Sequence, residues 1–100
     1  MIRHVVMWKF KAEACGNTAE ENMIEIRDRL LALLPIIPEI KRMEIGFDIT
    51  RSDMSMDLML LTEFDSKENL RTYAVHPEHL KVAELLASVT QVRVVHDCEI

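Results

Sequence analysis

The chain predicts an α+β fold: a four-stranded antiparallel sheet with helices on one of its faces. Three observations carry this. Strand-like and helix-like segments follow one another in the order β-α-β-β-α-β. The length, 100 residues, is that of a single domain spanning 1–100. Hydrophobic residues make up 49% of the chain, which is the composition of a globular protein rather than a disordered one.

The first strand is expected over Ile2 to Lys11. Its side chains alternate, with Ile2, His4, Val6, Trp8 and Phe10 on one face and Arg3, Val5, Met7, Lys9 and Lys11 on the other. The second set is apolar in its middle, so both faces of this strand are expected to be covered. Gly16 and Asn17 punctuate the chain, and Thr18 then opens a helix with Glu21 three residues on. That spacing is a capping box, in which hydroxyl and carboxylate satisfy backbone amides of the first turn. Ala19, Met23, Ile26, Leu30 and Leu33 recur at helical spacing and form the buried stripe. Glu25 and Arg29 are placed to pair on the solvent side. Pro35 and Pro38 end the helix.

Ile40 to Ile49 reads as the second strand, polar on one face and so nearer a sheet edge. A polar loop, Thr50 to Ser55, leads to a third strand over Met56 to Phe64. Its run Leu58-Met59-Leu60-Leu61 suits a central strand buried on both faces. Ser66 caps a short helix holding Leu70 and Tyr73. His76-Pro77 interrupts it, because the residue before proline disfavours helix while proline itself suits a first helical position. A further helix carries Leu80, Val82, Ala83, Leu85 and Leu86, and Thr90 to Ile100 is the last strand.

This order is the ferredoxin-like pattern, with its helices all on one face of the sheet. Val5, Met7, Met59 and Leu61 would then face water in a monomer. An apolar sheet face of that kind is a partner surface, and its simplest partner is a second copy of the chain.

Charge and cysteine usage narrow the function classes. Twelve Lys and Arg against seventeen Asp and Glu give a net charge of −5 with no basic run, which argues against nucleic acid and anionic membrane surfaces as partners. Cys15 and Cys98 are far apart and form no CxxC, so two free thiols in a reducing cytoplasm are expected. Met1 to Phe10 does not read as a signal peptide, and no apolar run approaches transmembrane length. The two glycines make no phosphate-binding loop, so no nucleotide cofactor is expected. His76 and His79 are three apart, but Pro77 stands between them and no third ligand is evident, so no metal is expected either.

The chain resembles the stress-responsive A/B barrel family. The resemblance is carried by IRHVVMWKFK, IPEIKRMEIG, DLMLLTEFDSKENLRTYAVHPEH and the closing VRVVHDCEI. Its most specific part is Tyr73-Ala74-Val75-His76-Pro77-Glu78-His79, preceded by Glu63-Phe64. The resemblance implies a homodimer whose two sheets face each other as a barrel, with a pocket in each subunit between sheet and helices. It does not imply one activity. Most members have no assigned reaction, one plant branch cyclises polyketides without a cofactor, and more distant relatives include cofactor-free monooxygenases and haem-degrading enzymes. The Asn-Trp-His set of that last branch is not found here.

His79 is the leading candidate for chemistry. It follows Pro77 in the first turn of a helix, where unpaired amides and the helix dipole disfavour the imidazolium and keep the ring a base. By resemblance, His79 matches the catalytic base of the cyclase branch and Tyr73 its partner, a donor to a carbonyl that becomes an enolate. The alternative is that the histidines only cap the helix and tie it to the sheet. His4, Val6 and Trp8 are expected on the floor of the pocket, with His76 and Asp97 as further contacts; Asp97 could orient a histidine. Two function classes follow. One is a dimeric module that binds a small apolar or aromatic molecule. The other is a cofactor-independent enzyme, cyclase-like or monooxygenase-like, with a His/Tyr acid–base pair.

Overall fold

The computed structural model describes all residues, 1–100. Strand β1 spans Ile2–Phe10, and a two-residue hairpin follows as β2 (Glu13–Ala14) and β3 (Asn17–Thr18). Helix α1 is Ala19–Leu31, β4 is Arg42–Phe47 and β5 is Leu58–Phe64. Helices α2 (Lys67–Ala74) and α3 (Pro77–Val89) precede β6 (Thr90–Glu99). The main sheet has the order β4-β5-β1-β6 with every neighbouring pair antiparallel. This is the ferredoxin-like arrangement, and the strands expected to be central, β1 and β5, are central.

Local chemistry sets the element ends. The Thr18 hydroxyl accepts from the Glu21 amide at 3.2 Å, and the Glu21 carboxylate accepts from the Thr18 amide at 2.9 Å, completing the capping box. Arg29 and Glu25 pair at 2.9 Å. Ser66 caps α2, and His76 caps α3 with Pro77 in the first turn. Strands β4 and β5 are shorter than their expected ranges, because the residues around the 50–55 loop find no partner strand. The β2–β3 hairpin was not foreseen. Cys15 and Gly16 both take positive φ, 54° and 79°, in a turn that asks for Asn-Gly rather than Cys-Gly.

The alternation expected along β1 is realised. Ile2, Val6, Trp8 and Phe10 are buried beneath the helices, with Leu58, Leu60 and Phe64 of β5 beside them. The stripe Met23, Ile26, Leu30 and Leu33 packs onto them. The other sheet face carries no helix. Val5, Met7, Met59, Leu61, Val92 and Val94 share it by register, and Met7, Val92 and Val94 are exposed. Arg3 and Arg42 both bond the Glu63 carboxylate at one end of this face. Cys15 and Cys98 are unpaired thiols. No helix is long and apolar enough to cross a membrane.

Candidate functional site

A cavity of about 480 Å³ lies between the sheet and the helices. Val6 and Trp8 from β1 and Leu60 from β5 form its floor, and Leu70, Ala83 and Leu86 wall it from α2 and α3. This is the form of a small-molecule site: apolar walls with a few polar groups converging on them.

Tyr73 and His79 reach the cavity from different helices. The break at His76-Pro77 turns the chain, so the first turn of α3 folds back over the end of α2. Their rings lie 4.3 Å apart between centroids, at 43°. The Nδ1–H of His79 donates to the Ala74 carbonyl at 2.9 Å. A carbonyl only accepts, so this bond fixes the tautomer and leaves Nε2 as a lone-pair acceptor. Burial holds the imidazole below its ordinary value of 6.5. The Ala74 carbonyl opposes that shift, while positive charge on His4, Arg93 and His76 adds to it. The direction is the one expected from the sequence, and burial is its largest cause.

Tyr73 is 1% exposed and packs on Phe64 with ring centroids 5.2 Å apart. Burial pushes its phenol up to about 12, against the lowering pull of Arg93. Its hydroxyl is therefore a proton-bearing donor at any physiological pH. No residue takes that hydroxyl as a partner, yet no buried side-chain polar atom is left unsatisfied, so the hydroxyl opens onto the cavity.

His4 stands on the floor with its ring 6.5 Å from that of Tyr73. Its Nδ1 bonds the Asp97 carboxylate from the neighbouring strand, where register places the two residues opposite each other. Asp97 lies on the edge strand with its side chain exposed, and its one side-chain partner is His4. Of the residues named from the sequence, His4, Val6, Trp8, Tyr73, His79 and Asp97 converge on this cavity. His76 does not. Its Nδ1 accepts from the Glu78 amide at 3.1 Å, so its side chain is spent on capping its own helix. Sequence reasoning missed Arg93 and Gln91, which line the cavity on the same side of β6 as Asp97. Alternation along Thr90 to Ile100 was the available signal. No three His, Cys, Asp or Glu side chains converge as a metal site would require.

A curated relative, olivetolic acid cyclase of Cannabis sativa, is 26% identical over 98 residues, covering 96% of this chain and 93% of that protein. A dimeric ferredoxin-like protein of unknown function from Bacteroides fragilis superposes with a TM-score of 0.87 at 25% identity, covering 99% of this chain and 95% of the other. A hydroxynitrile lyase from Passiflora edulis shares the fold, with a TM-score of 0.84 at 19% identity and coverage of 99% and 92%. Residues 2–100 match the family model of the stress-responsive A/B barrel domain, and the chain belongs to that family.

Proposed function

We propose that the cavity binds a small, largely apolar or aromatic carbonyl compound, and that His79 and Tyr73 perform acid–base chemistry on it. The observation that carries this reading is the fixed tautomer of His79. With Nδ1 donating to Ala74, Nε2 is a neutral base at the cavity wall beside a phenol that keeps its proton. Nε2 takes the proton from a carbon next to the carbonyl. The C–H electron pair becomes a C=C bond, and the carbonyl π pair moves onto oxygen, where the Tyr73 hydroxyl donates to it. The chemistry needs no group beyond those of the chain. The resulting enolate can take the proton back or attack a second carbonyl, and the latter is the kind of step that a relative named a cyclase supports. His4, held by Asp97, offers a further polar contact to the ligand.

The unit that carries the site is read as a homodimer. The uncovered apolar face of β1, β5 and β6 supports this, as does the dimeric description of the Bacteroides fragilis relative. The unpaired thiols suit a reducing cytoplasm.

Chemical-shift mapping with the neutral ketone 4-phenylbutan-2-one tests the location of the site. The reading expects saturable shifts at His4, Trp8, Tyr73 and His79. Saturable shifts confined to the open sheet face would overturn it.

A further inference from the structure

The chain is acidic, and its cations are mostly occupied. Of twelve Lys and Arg residues, seven are ion-paired, and the Lys9 and Lys11 amines donate to carbonyls. Lys67, Arg71 and Arg93 remain without a partner. Lys67 and Arg71 line a more open neighbouring groove that carries the carboxylates of Glu99 and Asp97. Arg93 is different, because it is the one Lys or Arg that lines the cavity of Tyr73 and His79.

Its position follows from the sheet. Arg93 pairs with Trp8 across β1 and β6, four residues before Asp97 on the same side of the strand. Asp97, the only carboxylate of the cavity, is engaged by His4. Arg93 lines the cavity while remaining exposed to solvent, and no carboxylate of the cavity is free to meet it. Its charge reaches the reacting groups, since it lowers the proton affinity of both Tyr73 and His79. Gln91, also on the cavity wall, places an amide on the same side of the edge strand.

We infer that the ligand of this cavity is an organic acid, whose carboxylate is read by Arg93 while its carbonyl lies at Tyr73 and His79. The inference rests on the proposed small-molecule reading and names its substrate class, a keto acid rather than a neutral ketone. A guanidinium presents a planar fork of donors that matches a carboxylate. Arg93 is here a specificity-determining residue, not a source of the reacting proton.

Isothermal titration calorimetry with the full chain tests this using two probes, 4-oxo-4-phenylbutanoate and its neutral analogue 4-oxo-4-phenylbutanamide. The wild type is expected to prefer the acid by about tenfold, as for one charge-assisted contact. Arg93→Gln is expected to bring the two probes within about twofold, by losing affinity for the acid alone. Arg93→Lys should keep a reduced preference, and Arg71→Gln in the neighbouring groove should leave the preference unchanged. Equal affinity for acid and amide in the wild type overturns the inference and leaves the small-molecule reading standing. A preference that survives Arg93→Gln also overturns it. Absence of binding by either probe overturns both readings together.

Discussion

The imidazole of His79 and the phenol of Tyr73 lie 4.3 Å apart between ring centroids, although they belong to two helices separated by a proline. The contact exists because α2 ends at Ala74 and the Ala74 carbonyl accepts from His79 Nδ1. One hydrogen bond thus ties the second helix to the first, sets the tautomer and leaves Nε2 as the acceptor nitrogen.

Proton transfer at His79 is expected to rise with pH through a value below 6.5, since burial lowers the imidazole pKa, and then to level off. Tyr73, pushed up to about 12, keeps its proton over the same range. Stability carries the same signature. Between the lowered folded value and 6.5, the unfolded chain holds the His79 proton and the folded chain does not, so this histidine destabilises the fold as pH falls through that window. NMR titration of the four histidines, with His79→Ala for assignment, should show the His79 ring titrating below 6.5.

Tyr73→Phe should separate chemistry from packing. The ring stays against Phe64, and the hydroxyl has no protein partner to lose, so thermal unfolding should change by less than about 1 kcal/mol. Turnover should fall by about 100-fold, the scale of losing one donor to an oxyanion. A large loss of stability with little loss of turnover would mark Tyr73 as a core residue only.

The two faces of β5 should respond differently to the same charge. Met59 lies on the uncovered face opposite Met7, whereas Leu58 is 1% exposed beneath the helices. Met59→Lys is expected to give a folded monomer by analytical ultracentrifugation. Leu58→Lys should cost about 4 kcal/mol or more and unfold the chain in circular dichroism. A wild type that sediments as a monomer at micromolar concentration would refute the dimer.

Cys15 holds φ at 54° in the hairpin turn before Gly16. Asparagine tolerates that conformation better, so Cys15→Asn should stabilise the fold by about 0.5 kcal/mol, measured by urea unfolding. Before any substitution, a thiol titration of the denatured, unreduced chain should find both cysteines.

Most of this architecture was written in local pattern. Alternation along β1 separated the buried face from the open one, Thr18 and Glu21 marked the start of α1, and His76-Pro77 divided the helical region. The hairpin at 13–18 escaped, because two-residue strands carry no periodicity and its turn has unusual residues. His76 takes the capping role that the sequence left open as the alternative to a ligand contact. A residue preceding a first-turn proline is in the capping position, where its side chain turns back onto its own helix. Arg93 was missed for a different reason. Alternation along β6 puts it on the same side as Asp97, but its place beside the cavity floor depends on pairing with Trp8, 85 positions away in the chain.

The central claim is that His79 removes a proton beside a carbonyl, and deuterium uptake tests it most directly. 4-Phenylbutan-2-one is incubated with the protein in D2O at neutral pH, and loss of the signals from the protons next to its carbonyl is followed by proton NMR. The predicted result is exchange well above the buffer rate, reduced by about 100-fold in a folded His79→Ala variant. Exchange by His79→Ala at the wild-type rate, or no exchange above buffer by a wild type shown to bind the ketone in the cavity, would contradict the account.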